Sequence, residues 1–281
     1  MRGHKAAVGL GFTVLAVLWG LPAAGASASG PGAAALSTAG SASRHATAAV
    51  PQPKEKPEFD GTFRGLHLNR KIWDTCYPTM QSYHGGCQNW GNHEEAEWYL
   101  PSQVKVSKGR VALVAERTRT VGATSTGARK VYECRSGMIT SYPGLRFKYG
   151  FVQVVAKIPH AEGLWPALWL LPANGQWPPE IDMVESWGVN VLTGSFYHPD
   201  TGRRSRSTYS PSLTEGWQTY SLSWTRSKLT YWVGNQVVLT VTKNVPRQRM
   251  FFLADLAEYL PAKPGYCSGR MLIKSVKVWT S

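Results

Sequence analysis

From about residue 104 to the C-terminus the sequence alternates apolar and polar side chains with a period of two, and no stretch carries a helical stripe. That pattern commits the chain to strands, because residues i and i+2 share one face of a sheet. Residues 151–158 put Val152, Val154, Ala156 and Ile158 on one face and Gln153 and Lys157 on the other. Residues 229–233 and 236–241 flank Gly234-Asn235, a two-residue turn suited to a hairpin. Residues 104–106 and 110–116 repeat the arrangement around Ser107-Lys108-Gly109, and residues 271–279 close the chain as a strand. Many short strands without intervening helices or a fixed repeat predict an all-β sandwich of two antiparallel sheets.

The N-terminus has a different character. Arg2, His4 and Lys5 precede an apolar run to Trp19, and small residues near Ala26 complete an export-signal pattern, so residues 1–28 are read as a signal peptide. An uncleaved membrane anchor is the alternative, but the run falls short of the ~20 residues a span needs. Residues 29–57 are rich in Ala, Ser, Gly and Pro and read as a flexible linker or propeptide. Residues 58–281 remain as one domain, expected to be secreted and extracellular.

Export makes the cysteines informative. Cys76, Cys87, Cys134 and Cys267 allow three disulfide connectivities, of which Cys76 with Cys87 and Cys134 with Cys267 is favoured. No CxxC supports a zinc or redox site, and a nucleophilic Cys134 paired with His198 has little behind it. The net charge of +14 admits an anionic wall, an acidic polysaccharide or nucleic acid as partner. The one dense cluster, Arg203, Arg204 and Arg206, reads as a solvated loop rather than a phosphate-binding patch. Neither nucleic acid nor stable membrane association is expected, and the chain is expected to be a monomer.

The segment Glu180-Ile181-Asp182-Met183-Val184-Glu185 carries the chemistry. On a helix its acids would fan out at about 0°, 200° and 140°. On a strand Glu180 and Asp182 share a face, and one bulged residue at Met183 or Val184 brings Glu185 to it. The two glutamates would then stand about 13 Å apart at Cα. Side chains leaning together can reach the ~5 to 5.5 Å of a retaining glycosidase or the ~6.5 to 9.5 Å of an inverting one. Taken bare, three acids in six residues more often describe a solvated strand face or a metal-binding edge. Here Trp165, Trp169, Trp177 and Trp187 surround them, and aromatic faces suit the apolar faces of sugar rings.

Together with residues 163–172 (GLWPALWLLP), the Ser136-Gly137-Met138-Ile139-Thr140 run and Glu95 to Val104, this segment resembles the active-site region of glycoside hydrolase family 16, in its bulged, laminarinase-like branch. The resemblance implies a jelly-roll sandwich with an open cleft on the concave sheet and a catalytic domain over residues 58–281. It also implies that Glu180 is the nucleophile, Glu185 the general acid/base and Asp182 the assisting carboxylate. The implied activity is endo-acting, retaining hydrolysis of a β-1,3 or mixed β-1,3/1,4 glucan, with a polysaccharide as the only partner and no cofactor. A non-catalytic carbohydrate-binding sandwich and a cell-wall transglycosylase are the rival readings. Trp165, Trp169, Trp187, His198 and Glu97 are the expected substrate contacts. Many family members bind calcium through an aspartate in the last strand, where this chain has Lys274, so no metal is expected. Asp255, Glu258 and Tyr259 replace an asparagine-containing pattern, which leaves the glucan unspecified.

Overall fold

The computed structural model describes residues 49–78, 83–89, 91–186, 192–197, 204–209, 215–260 and 266–281. The proposed signal peptide, most of the proposed linker, Trp187, His198 and Arg203 lie outside these residues. In chain order the strands are β1 (Phe59–Asp60), β2 (Glu97–Tyr99), β3 (Val104–Ser107), β4 (Arg110–Ala123), β5 (Arg129–Ser136) and β6 (Met138–Thr140). There follow β7 (Gly150–Lys157), β8 (Leu164–Pro172), β9 (Glu180–Glu185), β10 (Leu192–Tyr197) and β11 (Arg204–Tyr209). The chain closes with β12 (Gln218–Trp224), β13 (Leu229–Val233), β14 (Gln236–Val241), β15 (Met250–Glu258) and β16 (Ser268–Trp279). A single 3₁₀ turn at Pro101–Gln103 is the only helical element among the described residues.

The strands form two sheets. One runs β14-β13-β12-β7-β16-β4-β5-β2, with β1 against β16 and β3 against β4; the other runs β11-β10-β9-β8-β15-β6. Both expected hairpins are present, and Lys108, Gly109 and Gly234 take positive φ of 49°, 72° and 56° at their turns. Alternation sends Val152, Val154, Ala156 and Ile158 into the core between the sheets. There they meet Leu168, Leu170, Ile181, Met183, Val184 and Phe252 from the six-stranded sheet.

Two expectations need correction. The sheets are not wholly antiparallel, because β2 pairs with β5 in parallel. A parallel neighbour requires a crossover, and the β3–β4 hairpin provides the returning chain between them. Arg204 and Arg206 do not sit in a loop; they belong to β11, the edge strand of the six-stranded sheet. Ser205 and Ser207, part of the polar run that suggested a loop, alternate with Arg204 and Arg206 along that strand.

Disulfides join Cys76 to Cys87 and Cys134 to Cys267. The second ties β5 to the start of the segment leading into β16. Upstream of residue 58 the chain already contacts the domain, since Trp279 Nε1 donates to the Glu55 carbonyl at 2.9 Å. Lys274 places its ammonium 4.2 Å from the Trp217 ring centroid, where it acts as a cation on an aromatic face.

Candidate active site

The face of the six-stranded sheet turned away from the core is built by β8, β9, β10 and β15. Asp182 stands opposite Trp169, and Glu185 opposite Ala167. Two residues on β9, Met183 and Val184, therefore stand against the single Leu168 on β8, which is a bulge between Asp182 and Glu185. Met183 and Val184 both point into the core. The bulge thus turns Glu185 onto the face that carries Asp182, and the apolar pair anchors the strand beneath them.

Ser195 on β10 lies directly across from Asp182. Its hydroxyl is 2.6 Å from Asp182 Oδ2 and 2.9 Å from Glu185 Oε2. A hydroxyl has one proton to give, so the second contact is a hydrogen bond only if a carboxyl supplies its own proton. Asp182 is buried, and burial pushes its carboxyl well above the ordinary range, aided by the charges of Glu185 and Glu180. It also hydrogen-bonds Glu180. Glu180 in turn accepts the Trp177 indole N–H at 2.9 Å.

These contacts form one connected chain. The Ser195 hydroxyl reaches both Asp182 and Glu185, Asp182 hydrogen-bonds Glu180, and Trp177 donates its indole N–H to Glu180.

A second set of carboxyls gathers toward β15, where Asp255 lies on the same face and Glu95 and Glu97 approach from the β2 segment of the other sheet. Trp169 Nε1 donates to Asp255 Oδ1 at 2.5 Å, and the Tyr99 hydroxyl lies 3.3 Å from both Asp255 Oδ2 and Glu95 Oε2. Asn89 and Asn92 donate to Glu95 Oε1 at 3.2 and 3.1 Å. Glu97 accepts the Glu258 backbone N–H at 2.6 Å and shares a hydrogen bond with Glu95. Burial pushes Glu97 up to about 7 and Asp255 to about 8, and raises Glu95 as well. Tyr77, Cys87 and Tyr99 roof this part of the face, packing on Trp165, Trp169, Phe251 and Leu253. A cavity of about 530 Å³ beside Glu95, lined also by Lys130, Tyr132, Glu258 and Tyr259, touches none of the β9 acids.

The expected substrate contacts divide accordingly. Trp165 and Trp169 lie on the acid-bearing face, but each keeps only 8% exposure, with its ring edge-on to Tyr259 and Tyr77 respectively. Trp169 positions Asp255 and does not offer an open stacking platform. Glu97 is fully buried and holds the β15 backbone, so it does not meet a sugar directly. Ser195 went unrecognised in the sequence, although Thr193, Ser195 and Tyr197 alternate on one strand. The spacing Glu95-x-Glu97-x-Tyr99 carries the same period-two signal for the second group.

An all-β jelly-roll sandwich with a bulged carboxylate row on one sheet face defines the class of protein. Residues 92–263 match the family model of glycosyl hydrolases family 16, and the chain belongs to that family. It is 27% identical over 217 residues to the endo-1,3-1,4-beta-glycanase EglC of Rhizobium meliloti (strain 1021), covering 71% of this chain and 45% of that protein. It is 33% identical over 131 residues to ExsH, an endo-1,3-1,4-beta-glycanase from the same strain, covering 45% of this chain and 28% of that protein. The chain thus spans less than half the length of these two relatives. Among solved structures, the catalytic domain of an endo-1,3-beta-glucanase (laminarinase) from Thermotoga petrophila RKU-1 superposes with a TM-score of 0.67 at 23% identity, covering 79% of this chain and 96% of that one. That likeness is one of fold.

Proposed function

We propose that the protein is a secreted, endo-acting glycosidase that cleaves β-glucan with retention of configuration. The names of the relatives EglC and ExsH support a β-1,3/1,4-linked glucan as substrate. Two disulfides accord with an oxidising, extracellular setting. The observation that carries the mechanism is the hydrogen-bond chain from Glu185 through Ser195 and Asp182 to Glu180.

In this reading Glu185 and Asp182 hold the shared protons and Glu180 is ionised, and the chemistry follows from that assignment. The Glu180 carboxylate attacks the anomeric carbon, the glycosidic C–O bond breaks, and the leaving oxygen takes the proton of Glu185. The product is a glycosyl ester on Glu180. Glu185, now ionised, removes a proton from water, whose oxygen attacks the same carbon and releases Glu180. Two inversions give net retention. Asp182, protonated and bonded to Glu180, orients the nucleophile and takes up part of its charge as the ester is lost.

Azide in place of the missing carboxylate tests the roles. Glu180→Ala with azide and an activated β-glucoside is expected to yield an α-glycosyl azide, and Glu185→Ala the β-anomer. The reverse pattern would overturn the assignment.

A further inference from the structure

The edge strand β11 presents a cation to the acid-bearing face. Arg206 pairs directly with Ser195, and directly paired residues of antiparallel strands point to the same side of a sheet. Since Ser195 bonds Asp182 and Glu185, Arg206 belongs to their face. Two strand spacings, roughly 10 Å, separate its backbone from that of Asp182. Its side chain is exposed. It therefore stands beside the bond-breaking position rather than within it, on the side of the sheet away from the Tyr77 and Tyr99 roof.

The distribution of charge points the same way. The full sequence has 31 lysines and arginines against 17 acids, and five of those acids, Glu95, Glu97, Asp182, Glu185 and Asp255, are buried. Without Arg2 and Lys5 of the proposed signal peptide, the chain keeps a strong positive excess, with buried acids contributing little to its surface. A neutral glucan draws nothing from that field, whereas a polyanion is concentrated by it. A guanidinium on the wall of the site adds specificity, because its planar fork matches carboxylate and sulfate oxygens in pairs.

We propose that Arg206 forms a subsite for an acidic substituent, so that the substrate is a β-glucan carrying carboxylate or sulfate groups. The inference rests on the glycosidase reading for the position of the cleaved bond. The test compares one neutral β-glucan with its carboxymethyl and sulfate derivatives, matched in length, on the mature protein, Arg206→Glu and Lys157→Glu. Lys157 is exposed at the end of β7 in the other sheet and serves as the charge control.

At low salt the wild type is expected to show about 10-fold higher kcat/KM on the anionic polymers, expressed in KM, and to lose the gain near 0.5 M salt, where screening is short-ranged. Arg206→Glu should lower kcat/KM on the anionic polymers about 10-fold more than on the neutral one, while Lys157→Glu keeps the wild-type preference. A gain on both derivatives means that charge is read; a gain on one alone names the group. No preference in the wild type, or a preference that survives in Arg206→Glu, overturns the proposal. Affinity electrophoresis of the same three proteins through gels of each polymer reads binding without turnover. If no glucan is cleaved, the glycosidase reading fails, and Arg206-dependent retardation by the anionic gels still decides this inference.

Discussion

Two groups of three carboxyls meet near the outer face of the six-stranded sheet, one carried on β9 and the other formed by Asp255 of β15 with Glu95 and Glu97 from the β2 segment, and they differ in what surrounds them. Glu180, Asp182 and Glu185 are linked in a line by Ser195 and capped by Trp177. Glu95, Glu97 and Asp255 are closed in by Tyr77, Tyr99 and Trp169, and Glu97 is spent on the Glu258 backbone. Burial raises Asp182 in the first group and all three acids in the second. A perturbed carboxyl is therefore no sufficient mark of a reacting group. What separates the two is access: Glu180, at the start of β9, stays partly exposed, whereas the second group is closed in beneath Tyr77 and Tyr99.

The sharpest break of this comparison is by neutral replacement. Glu180→Gln should cost about 10⁴-fold or more in kcat/KM on β-glucan, a magnitude usual for a lost nucleophile. Glu97→Gln should cost less than about 10-fold, as a support that never meets the sugar. Equal losses in the two variants would erase the distinction.

The disulfides offer a structural version. Cys134→Ser with Cys267→Ser opens a closure spanning 133 residues and should destabilise the fold by about 5 kcal/mol in denaturant titrations. Cys76→Ser with Cys87→Ser opens one spanning 11 residues beside the roof and should cost about 3 kcal/mol. The second variant should lose more of its activity than its smaller destabilisation explains, because Tyr77 sits next to Cys76 and packs on Trp169.

Ser195→Ala removes the bridge while leaving all three carboxyls. It is expected to lower kcat about 10- to 100-fold, within the range of general acid–base effects, with KM little changed. Ser195→Thr, which restores a hydroxyl, should recover part of the loss.

The smallest effect concerns pH. Glu97 is raised from an ordinary 4.5 to about 7, so the folded state holds a proton that the unfolded chain releases. Its contribution to stability is complete below pH 4.5 and is lost as pH rises through 7. Asp255, raised to about 8, extends the window in the same sense. The melting temperature should fall by a few °C between roughly pH 5 and 8, and Glu97→Gln, neutral throughout, should flatten that slope. An unchanged slope in the variant would mean that Glu97 carries no such proton.

The sequence made the backbone of this account legible because it depends on local pattern. Alternation located β7, β13 and β14, and turn chemistry at Gly234 fixed their pairing. The bulge at Met183 and Val184 was legible too, since only a bulge lets Glu185 join Glu180 while two apolar residues remain inside. Long-range partners were not. Nothing within β10 tells Ser195 that it will stand across from Asp182, and nothing near Trp169 signals Asp255, 86 residues away. The aromatic residues around the acids suggested open platforms, yet Tyr77, Cys87 and Tyr99 pack over Trp165 and Trp169. Burial of that kind is set by a segment distant in sequence. The arginine cluster was mistaken for a loop for a related reason: an exposed edge strand contributes little apolar signal.

The most direct test of the proton arrangement is the stereochemistry of the first product. Proton NMR during hydrolysis of a β-glucan oligosaccharide should show the new reducing end appearing first as the β-anomer, with the α-anomer following only by mutarotation. An α-anomer formed first would mean a single displacement by water, and Glu180 would not be the nucleophile.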